Sequence, residues 1–173
     1  MAAILGEIGT LLELKGENPF KTRAYHNAAR VLEGLTEPLE TVVAEQRLGN
    51  LKGFGDALVE KITELVTTGR LPYHETLKAS VPAGLMEMIQ LHGLGPKKVK
   101  KLHDELGIDS VEKLEAACKT GTVAGLDGFG EKTQSKILEA IAFKRQFASR
   151  HRLVDALAAA EPILDAQIGR AHV

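Results

Sequence analysis

The chain has 173 residues, a formal net charge of −1 and 4% aromatic residues. That length allows one domain or two small ones, and no apolar run approaches the ~18 residues of a membrane span. The single cysteine, Cys118, excludes an internal disulfide and a cysteine-based zinc site, and the near-neutral charge excludes a strongly basic nucleic-acid coat protein.

Residues 2–15 carry Ile4, Ile8, Leu11, Leu12 and Leu14 at helical spacing, and Lys15-Gly16 reads as a stop. Asn18-Pro19 reads as a cap and a first-turn proline. The helix it opens is expected to turn Phe20, Ala24, Ala28, Val31 and Leu32 inward, with Lys21, Arg23, Tyr25, His26 and Arg30 on or near the other side. Thr36-Glu37-Pro38 starts another helix, and Gly49-Asn50 leads into a glycine turn. A helix over 56–67 follows, with Leu58, Val59, Ile62, Leu65 and Val66 inward. Pro72 opens a short helix, and Val81-Pro82 breaks the chain, a join between subdomains. Helices are then expected over 83–90 (Leu85, Met86 and Ile89 inward), 97–106, 110–119, about 131–147 and about 150–160. Cys118 falls on an apolar face, where burial is its expected fate. No segment alternates apolar and polar residues, so the fold class is all-α, with short helices joined by Gly and Pro turns.

One pattern occurs three times: Leu51-Lys52-Gly53-Phe54-Gly55, Leu91-His92-Gly93-Leu94-Gly95 and Leu126-Asp127-Gly128-Phe129-Gly130. Each is followed by a helical run with Lys-apolar at a fixed offset, namely Lys61-Ile62, Lys101-Leu102 and Lys136-Ile137. Paired glycines permit a tight turn with positive φ, and the residue between them (Phe54, Leu94, Phe129) can tuck between the flanking helices. The next helix then begins at the glycines with its first N–H groups and positive dipole end bare, which is an anion site. One such turn would be read as a plain helix–helix connection. A dinucleotide site fits less well, because no strand precedes any copy. The pattern resembles the helix-hairpin-helix motif, which grips nucleic-acid backbone without reading bases. Around it, Lys97, Lys98, Lys100 and Lys101 cluster on the second copy. Such a run reads either as a solvated helix face or as phosphate contacts.

Gly16-Glu17-Asn18-Pro19-Phe20-Lys21-Thr22-Arg23-Ala24-Tyr25-His26-Asn27-Ala28-Ala29, followed by Leu51–Leu71, closely resembles the start of bacterial family X DNA polymerases. The resemblance runs from residue 2 to about 165. It implies a lyase-type helical domain over 1–80 with the first hairpin, a helix-hairpin-helix DNA-binding subdomain over 81–148, and the start of a palm-proximal segment over 149–166. Residues 167–173 depart from the family pattern and read as a non-native tail. The palm that follows in the family, with its paired aspartates, has no counterpart here, for no Asp-x-Asp occurs. Mg2+ or Mn2+ is expected only for that palm. The expectation is therefore the front portion of a nucleotidyltransferase of gap-filling DNA repair, cytoplasmic, nucleoid-associated and monomeric. It would hold gapped, nicked or abasic duplex and have no membrane partner.

The resemblance also nominates residues. Gly53, Gly55, Gly93, Gly95, Gly128 and Gly130, with Lys97, Lys98, Lys132, Lys21 and Tyr25, become DNA-binding candidates. Ala57-Leu58-Val59-Glu60-Lys61-Ile62 matches the motif that holds a Schiff-base lysine, so Lys61 becomes the nucleophile of a 5′-deoxyribose phosphate or abasic-site lyase. That chemistry needs a neutral amine, from a side chain whose unperturbed pKa is ~10.4. Lys101 and Lys136 share the offset of Lys61, so a repeat position is the alternative. Phe20 stands where animal members have a histidine that stacks on DNA, and Ala57 where they have a phosphate-binding lysine. Family members hold a monovalent cation on hairpin carbonyls. This carries over to Gly49, Leu51 and Phe54, and to Ile89, Leu91 and Leu94, as an Na+ or K+ site. His74, His92 and His103 form no recognisable metal constellation. A free-standing helix-hairpin-helix scaffold that docks proteins is the remaining alternative.

Overall fold

The computed structural model describes residues 1–147, and among these the chain is helix, turn and loop without a strand. The all-α expectation holds. The helix expected over 150–160, the segment 149–166 and the tail 167–173 lie outside the described residues.

The helices are α1 (Ala2–Leu14), α2 (Pro19–Glu33), α3 (Leu39–Ala44), α4 (Asp56–Thr68), α5 (Pro72–Ala79), α6 (Ala83–Ile89), α7 (Pro96–Leu106), α8 (Val111–Lys119) and α9 (131–147). Short 3-10 turns at Leu48–Asn50 and Val123–Gly125 precede the first and third glycine turns. The starts and stops follow the sequence signals. The Asn18 side chain accepts from the Phe20 N–H at 2.9 Å with Pro19 in the first turn. Gly69 and Gly107 end α4 and α7 in the left-handed conformation. No described helix is long and apolar enough to cross a membrane.

The described chain separates into two compact units. The first comprises Met1–Gln90 and Leu94–Ser110, so the turn at Val81-Pro82 lies inside it. Its centre is α1, which packs on α2, α5 and α7. Leu5, Ile8, Leu11 and Leu12 of α1 are completely or almost completely buried. Such a helix, apolar on most of its circumference, has to lie inside. Ile62, Met88, Val99 and Leu102 complete this core. Among the described residues the second unit comprises Leu91–Gly93 and residues 111–147. There Leu114, Cys118, Val123, Ile137 and Ile141 are buried together with Phe129. Glu115 joins α8 to α9, with Arg145 at 2.6 Å and Lys119 at 2.7 Å. Burial pushes the Cys118 thiol up to about 11.

Three inward faces differ from expectation; on α4 Leu58, Ile62 and Leu65 are buried while Val59 and Val66 are half-buried. On α2 the buried residues are Thr22, Tyr25, Ala28 and Ala29. Phe20 is 77% exposed and Tyr25 only 5%. Phe20 belongs to the first turn, and the stripe that meets the core runs from Thr22 through Tyr25 to Ala28 and Ala29, at helical spacing. On α6 Leu85 and Met88 are buried, whereas Met86 and Ile89 are half-buried.

Candidate nucleic-acid interface

The first glycine of each hairpin is left-handed. Gly53, Gly93 and Gly128 have φ of 89°, 88° and 84°, a region that side chains resist. The residue after each, Phe54, Leu94 or Phe129, is buried. In the first and third copies its N–H closes the turn, Phe54 to the Leu51 carbonyl at 3.1 Å and Phe129 to the Leu126 carbonyl at 3.0 Å. The second glycine differs among copies. Gly55 and Gly95 are extended N-caps with φ of −86° and −95°, whereas Gly130 is again left-handed at 79°. The two-glycine expectation of positive φ therefore holds at both positions only in the third copy. In the others the second glycine serves as the cap, whose extended backbone is open to any residue.

The starts of α4 and α7 receive no hydrogen bond from a capping side chain. Their first N–H groups have no intrahelical carbonyl to bond. Gly53, Gly55, Asp56 and Ala57 are exposed, as are Gly93, Gly95, Lys97, Gly128, Gly130 and Lys132. A Cβ placed on any of the six hairpin glycines would meet nothing within 4 Å. All three hairpins thus present open backbone to solvent, and the amides are not sealed in the core.

The lysine run on α7 divides. Lys97 is exposed at the helix start, and Lys98 is half-buried. Lys100 is paired with Asp104, and Lys101 lies 3.7 Å from Glu105, each one turn along the helix.

A cleft of about 550 Å³ opens beside the first hairpin. Gly53, Gly55, Asp56, Ala57, Leu58 and Lys61 line it from the hairpin and α4, Lys21, Ala24 and Tyr25 from α2, and Tyr73 from α5. The resemblance-based candidates Lys21, Tyr25, Gly53, Gly55 and Lys61 thus share one cavity. The Lys61 ammonium donates to the Ala57 carbonyl at 3.2 Å and sits 5.1 Å from the centre of the Tyr73 ring. Lys21 lies 5.9 Å from the same ring and 3.7 Å from Glu17. The Tyr25 and Tyr73 rings run parallel within 13°, their centroids 6.3 Å apart. Burial, and then the charge and hydrogen bonding of Tyr73, push the Tyr25 phenol well above its ordinary range. Sequence reasoning missed Tyr73. Its one local mark is Pro72 before it, which announces a helix and says nothing of a cleft.

The carbonyl candidates for a cation lie on or beside the two turns, Gly49, Leu51 and Phe54 at the first and Ile89, Leu91 and Leu94 at the second. The donor set is neutral carbonyl oxygen without a carboxylate, which suits a weakly held monovalent cation better than a divalent one. The Leu51 carbonyl already accepts one bond, from Phe54. His74 is committed elsewhere, its Nε2 being 3.0 Å from Glu7 of α1. Among the described residues no group of three or more His, Cys, Asp or Glu could hold a metal ion.

Comparison with known proteins matches two stretches of the chain. Residues 1–71 match a helix-hairpin-helix domain family, and residues 85–142 match a family described as a SAM-like helix-hairpin-helix tandem. The DNA polymerase/3′-5′ exonuclease PolX of Bacillus subtilis (strain 168) is 39% identical over 138 residues, or 80% of this chain. The match spans 24% of that protein's length. Tandem helix-hairpin-helix regions and this shared sequence make the chain similar to a family X DNA polymerase over 80% of its own length.

Proposed function

We propose that this chain is the DNA-gripping portion of a family X polymerase that works in gap-filling repair, holding gapped or nicked duplex by its phosphates. One observation carries the reading: three hairpins each offer exposed backbone behind a glycine where a Cβ would meet nothing. Backbone N–H groups and a helix dipole attract phosphate oxygen without reading a base. Lys97, Lys98 and Lys132 add cationic contacts beside those starts, and Na+ or K+ on the turn carbonyls would bridge to a further phosphate. Affinity should therefore depend on salt and little on sequence. Fluorescence anisotropy on gapped, nicked and intact duplexes tests this. A preference for the gapped and nicked forms, weakening with salt, is expected. Equal weak affinity for all three refutes it and favours a protein-docking scaffold.

The cleft favours a second reading, a 5′-deoxyribose phosphate lyase, because Lys61, Tyr25 and Lys21 line the same cavity. The Lys61 amine would condense with the aldehyde at the sugar C1′ and release water. Loss of a C2′ proton would then expel the phosphate at C3′. Borohydride should trap a covalent adduct on an incised abasic duplex, and Lys61→Ala should abolish it. No adduct with the wild-type chain ends this reading and leaves the first intact.

A further inference from the structure

Tyr73 is the residue of the cleft that the hairpin motif does not account for. Its ring is parallel to that of the buried Tyr25. The ammonium groups of Lys61 and Lys21 lie 5.1 and 5.9 Å from its centroid. Both fall within the ~6 Å over which the negative face of an aromatic ring attracts a cation. The other holds on these lysines are local: Lys61 donates to Ala57 on its own helix, and Lys21 pairs with Glu17 one turn away. The Tyr73 ring is the group they share. Two like charges brought to one cavity repel, and a ring close to both offsets that repulsion while limiting the sweep of two long, flexible side chains. Tyr25, itself fixed by burial, backs the ring in turn.

We propose that Tyr73 is a positioning residue: it holds the Lys21 and Lys61 ammonium groups as one cationic pair, aimed at the terminal 5′-phosphate of a gap. The inference rests on the phosphate-gripping reading above, with Lys61 in its charged form, and adds how the two cations of the cleft are kept together. It predicts discrimination, since a gap that ends in a 5′-phosphate satisfies both ammonium groups and a 5′-hydroxyl satisfies neither. The aromatic ring matters here, not the phenol.

The test uses the full chain and two gapped duplexes that differ only in a 5′-phosphate or a 5′-hydroxyl at the gap. Wild type should prefer the phosphate. Tyr73→Phe should keep that preference, and Tyr73→Leu should lose roughly five- to thirtyfold of it, the equivalent of two cation–ring contacts. Tyr73→Met replaces Tyr73→Leu if the latter loses its helical circular dichroism. A second readout needs no variant. The chain has two tyrosines and no tryptophan, and both tyrosines line the cleft, so its intrinsic emission should change with the phosphate duplex and not with the hydroxyl one. If wild type and Lys61→Ala show the same lack of preference, the cleft holds no phosphate and this inference fails, while the grip of the hairpins is judged separately by gapped against intact duplex. If wild type prefers the phosphate, Lys61→Ala abolishes the preference and Tyr73→Leu keeps it, the assignment of Tyr73 alone is overturned.

Discussion

The substitution that best separates binding from folding is Gly95→Ala. Gly95 is the N-cap of α7, with φ −95° and ψ 170°, a conformation alanine adopts without strain. Its added methyl would meet nothing within 4 Å. Losing glycine at an N-cap costs about 0.5–1 kcal/mol, and the stiffer unfolded chain returns about 0.4–1 kcal/mol. Stability should therefore change by less than about 1 kcal/mol, or roughly 3 °C in melting temperature. The same methyl stands where a phosphate has to approach the first amides of α7. Losing one hydrogen bond to a charged group is worth about 1.5–3 kcal/mol, which is roughly a ten- to hundredfold rise in Kd. Gly93→Ala is the contrast. At φ 88° it carries about 1–2 kcal/mol of backbone strain, so it should lose stability as well. Anisotropy on gapped duplex and thermal circular dichroism on the same preparations give both numbers. An unchanged Kd for Gly95→Ala, with an unmoved melting temperature, would mean that no phosphate approaches the start of α7.

Three further outcomes follow from the geometry. Lys97→Gln should flatten the plot of log K against log salt by about 0.9. Lys100→Gln, whose ammonium is already paired with Asp104, should leave the slope unchanged. Gly84→Ala should destabilise by about 1–3 kcal/mol or more in urea unfolding, because its Cβ would stand 2.0 Å from the Asp109 carbonyl oxygen, a backbone atom. Glu7 gives a pH dependence. Burial pushes its carboxyl up, but the Lys78 hydrogen bond and then the charges of His74 and Lys78 outweigh it and hold the pKa below the ordinary value. A depressed folded-state pKa stabilises above the unfolded carboxylate value of ~4.3, and that stability is lost as pH falls through the folded value. In this partly exposed pair the effect is about 1 kcal/mol or less. Glu7→Gln should lower stability at neutral pH by that amount and make the acid limb shallower, as followed by melting temperature against pH.

What could be read from the sequence was local. The glycine of each turn, the proline and asparagine at helix starts and the glycines at helix ends act on their own neighbours, so Asn18, Gly53, Gly69, Gly93 and Gly107 behave as their types predict. What could not be read depended on partners distant in the chain. Phe20 is more apolar than Tyr25, yet Tyr25 is the one buried, and the approach to Gly9 of α1 is made by His26. No property of α2 by itself chooses that angle. Tyr73 reaches Lys61 only because Gly69 reverses the chain between α4 and α5. The central place of α1 was likewise hidden, although its near-continuous apolar surface was a usable signal.

The three hairpins look equivalent by sequence pattern, but their electrostatics grade them. The first turn of α4 contains Asp56, whose carboxylate already complements the positive end of the helix dipole and repels a second anion. The helix after the third turn opens with Glu131 followed by Lys132, so its two nearest charges oppose one another. The first turn of α7 has no acidic residue and carries Lys97 and Lys98, so dipole, amides and side chains all favour an anion there. On the proposed reading, one glycine frame should therefore give the strongest phosphate binding at the second hairpin, intermediate binding at the third and the weakest at the first. The first hairpin, the weakest by its own amides, is the one beside which Lys21 and Lys61 converge on Tyr73. At that position side-chain cations take over the attraction that Asp56 removes from the backbone. A phosphate held there should accordingly be more sensitive to lysine substitution than to changes at Gly55, and the reverse order should hold for Gly95 and the second hairpin.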